Sequence, residues 1–155
     1  MRTFRAGVIG CGELARTHTE CLSKIEGLDM VAFCDRTQAK AQKLLVEFGG
    51  DYATDDVNRL FADPSLDAIY ITTHHDSHAD YCIRAMEGGK HVMVEKPLAL
   101  TLEDCLAVSE AVRKTGKKLM TAFKMRYYEM IRKAKELIPQ PLVVTMQIMD
   151  DRWAD

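Results

Sequence analysis

Nowhere does the sequence hold the roughly 18 consecutive apolar residues that a membrane-spanning helix requires, so no membrane association is expected. The apolar stretch behind Arg2 and Arg5 is likewise too short for the core of a secretory signal. Basic charge is not in excess: 21 Lys and Arg stand against 23 Asp and Glu, a formal net charge of -2. With no basic field to concentrate a polyanion, nucleic acid is not an expected partner. The five cysteines, at positions 11, 21, 34, 82 and 105, form no CxxC pair and are odd in number. That usage fits free thiols in a reducing compartment, so the cytoplasm is the expected location. Internal repeats and low-complexity stretches are missing too. What remains is 155 residues, 47% hydrophobic, enough for one packed domain and too few for two ordinary ones.

The hydrophobic pattern alternates between short β-like runs and longer helical ones, the signature of parallel βαβ units. Strands are predicted at Phe4 to Ile9, Met30 to Cys34, Asp67 to Thr72, His91 to Val94 and Leu119 to Phe123, with a short segment near Tyr52. Between them, Leu14, Cys21, Leu22 and Ile25 recur at helical spacing, as do Ala41, Leu44, Leu45 and Phe48 ahead of a Gly49-Gly50 stop. Further helices are predicted over Asp55 to Phe61, Ser77 to Met86 and Tyr128 to Ile138. Thr101 with Asp104 reads as a capping box opening a helix whose Leu102, Cys105, Leu106 and Val112 are expected to face inward. Pro139 and Pro141 then mark a boundary. The reading is an α/β, doubly wound parallel sheet occupying residues 1–140, with residues 141–155 as the start of an incomplete second α/β domain. The strand expected over Leu142 to Met149 would be left unpaired, a template for self-association into a homo-oligomer.

The loop Gly10-Cys11-Gly12-Glu13-Leu14-Ala15 lies between the first predicted strand and the first predicted helix. There Gly10 permits a tight turn, Gly12 has no side chain to obstruct a pyrophosphate, and Ala15 lets the helix pack close on the strand. The helix N-terminus turns amide donors and a positive dipole end toward phosphates. Asp35 ends the second strand, roughly 20 residues after Ala15, where a carboxylate can accept bonds from an adenosine ribose. This combination is the Rossmann dinucleotide-binding fingerprint. The plainer alternative is a βα turn made by the glycines and a helix cap made by Asp35. An acid at 35 repels a 2′-phosphate and favours NAD, while the neighbouring Arg36 offsets part of that repulsion and leaves NADP open.

Glu95-Lys96-Pro97 follows a predicted strand at the carboxyl edge of the sheet, where open α/β folds hold their ligands. Position alone leaves Lys96 equally readable as an ordinary surface lysine. Thr73-His74-His75-Asp76-Ser77-His78 gathers three of the five histidines and a carboxylate. A metal reading fails on spacing: His74 and His78 can share a helix face but His75 diverges, and the cluster itself holds no cysteine as a fourth ligand. No metal site is expected.

Taken together these residues resemble the Gfo/Idh/MocA oxidoreductases, which join an N-terminal Rossmann domain to a C-terminal open-sheet α/β domain. The matching stretches are Val8 through Gly12 with Ala15, then Asp35, then Thr73 with His78, and most specifically Gly89-Lys90-His91-Val92-Met93-Val94-Glu95-Lys96-Pro97-Leu98-Ala99. Ala122-Phe123-Lys124 and Arg126 are similar to the family's sequence after the sixth strand. The resemblance implies that Lys96 is catalytic, its ammonium stabilising or protonating the oxygen that changes between alcohol and carbonyl, with the Lys96-Pro97 peptide cis. It implies that Glu95 fixes the lysine or the nicotinamide ribose. It adds Thr72, Thr73, His75, His78 and Pro97 to the cofactor contacts made by Gly10, Cys11, Gly12, Glu13, Leu14, Ala15, Asp35 and Arg36. Where the family has Thr-Pro-Asn, this chain has Thr73-His74-His75. The family's other catalytic groups, a histidine and an aspartate, belong to a C-terminal domain outside residues 1–155. The expected function is an NAD(P)-dependent oxidoreductase acting on a sugar, cyclitol or related polyol. The alternative is a dinucleotide-sensing module without turnover.

Overall fold

In the computed structural model, which describes residues 3–140, β-branched and other apolar residues between glycine breaks form six strands. They are β1 (Phe4–Ile9), β2 (Leu28–Cys34), β3 (Tyr52–Thr54), β4 (Ala68–Ile71), β5 (His91–Val94) and β6 (Leu119–Thr121). The helices are α1 (Glu13–Leu22), α2 (Gln38–Phe48), α3 (Val57–Ala62), α4 (His78–Glu87), α5 (Leu102–Thr115) and α6 (Glu129–Leu137). The sheet order is β3-β2-β1-β4-β5-β6, with every neighbouring pair parallel. This is the strand order of open dinucleotide-binding sheets, with the order reversing between β1 and β4.

Two apolar layers hold the sheet from opposite faces. On one, Ala6, Val8 and Phe33 meet Ala15 and Leu22 of α1 and Ala41 and Leu44 of α2. On the other, Ile9, Ile69, Ile71, Val92 and Val94 meet Leu60, Cys82, Met86 and Val108 of α3, α4 and α5. Because β1 feeds a helix on one face and β4 a helix on the other, their carboxyl ends diverge and a crevice opens between them. A bulge in β2 adjusts the register: Ala6 pairs with Met30 but Gly7 with Ala32, so Val31 has no partner of its own. Val31 and Ala32 consequently share one face, and alternation resumes with Phe33 on the other.

The helices press on the sheet through small residues, and this overturns two expectations. In α1 the buried positions are Ala15, Thr19 and Leu22, whereas Cys21 is exposed and Leu14, like Ile25 just past the helix end, is about half exposed, at 50% and 51%. In α5 Val108 and Ala111 are buried and Cys105 and Val112 half-buried, while Leu102 and Leu106 face outward at 69% and 62% exposure. A helix seated close to a sheet has room for alanine and valine at the contact, and the bulkier leucines turn away. The α5 N-cap is as expected in one half: Thr101 Oγ1 accepts from the Asp104 amide at 3.1 Å. Asp104, however, accepts from the Thr101 hydroxyl at 2.8 Å and not from the backbone.

The chain divides into two compact units, residues 1–122 and residues 123–155. The second has a 3-10 turn over Lys124–Tyr127 and the helix α6. The strand expected over Leu142 to Met149 lies outside the described residues. No helix among the described residues is long and apolar enough to cross a membrane.

One close contact makes a test of this packing. A Cβ added at Gly88, which ends α4, would stand 2.4 Å from the Phe61 carbonyl oxygen at the end of α3. Gly88→Ala should lower unfolding free energy by about 1–3 kcal/mol, because backbone and not a flexible side chain must yield; chemical denaturation measures it, and an unchanged midpoint would contradict the contact.

Candidate cofactor site

Gly10 leaves β1 at φ +89°, a conformation that favours glycine, and a Cβ there would stand 2.7 Å from the Thr72 carbonyl oxygen. Its amide donates to the Cys34 carbonyl at 2.8 Å, and Thr72 donates its hydroxyl to the Gly10 carbonyl at 2.7 Å. The loop is therefore gripped by β2 on one side and β4 on the other. Gly12 has the opposite surroundings: nothing lies within 4 Å of a Cβ built on it. As the N-cap of α1 it faces open space in front of amides with no intrahelical acceptor, a cradle suited to a pyrophosphate. Glu13 and Leu14 are exposed on the first turn, while Cys11 and Ala15 are buried beneath it. Burial, with the Asp35 charge adding to it, pushes the Cys11 thiol up to about 12, so it sits there as a neutral packing group.

Asp35 follows β2 directly. Its Oδ2 accepts from the Cys11 amide at 2.8 Å and its Oδ1 from the Thr37 amide at 2.8 Å. It therefore braces the glycine loop and the approach to α2 at once, although the N-cap of α2 is Thr37 and not Asp35. Each oxygen of a carboxylate has a second lone pair, which leaves acceptors for a ribose diol.

A cleft of about 870 Å³ opens at the carboxyl ends of the strands, lined among others by Gly10, Gly12, Asp35, Arg36, Thr72, Thr73 and His75. Seven of the fifteen predicted cofactor residues thus meet in one space, and Cys11, Glu13, Leu14, Ala15, His78, Glu95, Lys96 and Pro97 are not among its lining. The cleft also recruits Thr37, Lys40, Asp55, Val57 and Tyr81, which the sequence reading did not single out, and His74, weighed there only as a metal ligand. Lys40, one turn beyond Asp35 on α2, had a usable signal: it is a cation within reach of the acid's position.

His78 stands apart from these. It is fully buried, with Nδ1 2.7 Å from the Pro97 carbonyl oxygen and Nε2 3.1 Å from the Thr73 carbonyl oxygen. Which ring nitrogen donates, and to which carbonyl, depends on the tautomer. Its place is behind the cleft wall, joining the 73–77 loop to the turn after β5. The His75 ring packs edge-on against it at 5.6 Å. Among the described residues no three His, Cys, Asp or Glu side chains converge as a metal site.

The Lys96-Pro97 peptide is cis. Lys96 is exposed just beyond β5, and Glu95, beside it, is half-buried. Glu95 Oε2 accepts from the Lys96 amide at 3.1 Å, and Glu95 Oε1 lies 2.7 Å from His18 Nε2 on α1. His18 was not singled out in the sequence, since 77 positions separate it from Glu95.

An open parallel sheet with this order, a glycine loop before α1 and an acid after β2 define a dinucleotide-binding Rossmann domain. Residues 4–123 match the family model described as oxidoreductase family, NAD-binding Rossmann fold, and the chain belongs to that family, Gfo/Idh/MocA. It is 34% identical over 131 residues to an inositol 2-dehydrogenase from Salmonella paratyphi B, covering 82% of this chain and 38% of that protein. It is 35% identical over 124 residues to scyllo-inositol 2-dehydrogenase (NAD(+)) from Bacillus subtilis, covering 79% and 36%. Among solved structures, a 3-ketoreductase from Actinomadura kijaniata in complex with TDP-benzene and NADP superposes with a TM-score of 0.83 at 26% identity, over 92% of this chain and 45% of that one. A putative myo-inositol dehydrogenase from Sinorhizobium meliloti gives 0.81 at 29% identity, over 88% and 42%. The chain thus spans less than half the length of these relatives.

The open space at Gly12 separates cofactor binding from folding. Gly12→Val should leave the melting temperature within about 3 °C of the parent, because no protein atom is displaced, yet weaken NADH binding by at least about tenfold in a fluorescence titration. Equal NADH affinity in the two proteins would place the phosphates elsewhere.

Proposed function

We propose that this chain is the cofactor-binding part of an NAD(P)-dependent oxidoreductase acting on a cyclitol, sugar or related polyol. The observation that carries the reading is Lys96, exposed at the carboxyl end of β5, on the sheet edge that also bears the glycine loop and Asp35. The names of the relatives, inositol dehydrogenases among them, support the substrate class. When bound, the nicotinamide supplies the hydride acceptor or donor. Asp35 orients the adenosine end, and the α1 amides hold the pyrophosphate. Lys96 as the free amine takes the hydroxyl proton when the alcohol is oxidised, and as the resulting ammonium returns it to the carbonyl oxygen when the ketone is reduced. Glu95 fixes the backbone from which Lys96 projects. A substrate domain following residue 140 would contribute the rest of the site.

A second reading, a dinucleotide sensor without turnover, is favoured by one observation: Lys96 is not among the residues lining the cleft. Assays of the full-length gene product against a panel of inositols and sugars separate the two. NAD reduction on any of them supports the oxidoreductase, and NADH binding without turnover the sensor.

The acid at 35 sets the cofactor preference. The chain should bind NADH with a dissociation constant on the order of 10 μM and NADPH more weakly. Asp35→Asn should weaken NADH by about tenfold while leaving NADPH nearly unchanged, because the charge that repels the 2′-phosphate is gone. Calorimetry measures both; absence of binding to either nucleotide would overturn the proposal.

A further inference from the structure

α1 is seated on β1 and β2 through Ala15 and Leu22, in the apolar layer opposite the one that holds β5. His18 reaches out of that arrangement, from the middle of α1 to the far end of β5, and bonds Glu95 at 2.7 Å. An ionised carboxylate only accepts, so His18 Nε2 is the protonated nitrogen. The other oxygen of Glu95 accepts from the Lys96 amide, so the carboxylate is held by one donor from each segment. Both side chains are shielded, at 26% and 13% exposure for His18 and Glu95. No rival cation on α1 competes for the acid: Arg16 is paired with Glu47 at 2.5 Å. The core is complete without this bond. Its effect is to fix the segment bearing Lys96 to the helix whose first turn forms the phosphate cradle.

We propose that His18 is a positioning residue for hydride transfer, holding Glu95, and through it the backbone at Lys96, in register with the cofactor cradle. This rests on the oxidoreductase reading above. Without His18, Glu95 keeps a single donor and its charge is free to turn toward the Lys96 ammonium, drawing the lysine away from the reacting oxygen. The nucleotide's phosphates and adenosine end, held by the α1 amides and Asp35, lose nothing.

The test uses the full-length protein, with His18→Leu removing the donor and His18→Gln restoring an N–H near the Nε2 position. NADH affinity by fluorescence and kcat on the best polyol of the panel are read together. His18→Leu should lower kcat by about tenfold or more, the scale of a small misplacement of a reacting group, with the NADH dissociation constant within about threefold of the parent. His18→Gln should recover most of the lost kcat. Unchanged kcat in His18→Leu overturns the proposal, as does an equal loss in both variants, which would mark a packing role. Loss of NADH binding in His18→Leu overturns it as well, since the cradle itself would then depend on His18. A parent protein that binds NADH but turns over no polyol overturns the oxidoreductase reading, and this inference with it.

Discussion

The crossing of Gly10 and Thr72 is the constraint on which the rest depends. Two backbones leave adjacent parallel strands toward opposite faces of the sheet, and they pass so close that a single methyl group at position 10 would collide with the Thr72 carbonyl. Glycine resolves the collision and supplies the left-handed turn in one residue. The Thr72 hydroxyl then bonds back to the Gly10 carbonyl, so the two exits lock each other. Everything that makes the cleft usable is arranged around this point: the α1 amides in front of it, Asp35 on the β2 side, and the 73–77 loop on the β4 side.

Electrostatically the cleft is mixed. Asp35, Asp55 and Asp76 line it together with Arg36 and Lys40. A dianionic pyrophosphate bound at the α1 N-terminus would be held by oriented amides more than by side-chain cations, an arrangement less sensitive to salt and needing no long side chain to be ordered on binding. Keeping thiols neutral beside it serves the same end. Cys34, like Cys11, is pushed up to about 12 by burial first and by Asp35 second, so neither adds negative charge near the phosphates.

The strands and the glycine loop were readable because their signals are local: alternation of period two, a turn residue, an acid at a fixed offset. Strand ends moved by one or two residues, as with Leu28 opening β2 ahead of the expected Met30, because strand ends are set by pairing partners that lie far off in sequence. Helix faces were read less well. Weighting bulky residues put Leu14, Leu102 and Leu106 in the core, whereas close approach to the sheet selects Ala15, Thr19 and Ala111. The cleft wall was half legible: Gly10, Gly12, Asp35, Thr73 and His75 came from spacing and resemblance, while Asp55 and Tyr81 arrive only when β3 and α4 are folded against their neighbours. The His18–Glu95 bond had no local signal, since it depends on α1 lying across the end of β5.

His78 has one further implication. Its contacts with two carbonyls are unequal, 2.7 Å to Pro97 and 3.1 Å to Thr73. One ring thus bridges the 73–77 loop, which lines the cleft, and the proline turn that follows Lys96. A nucleotide that shifted the loop would be felt, through that single side chain, at the turn carrying Lys96.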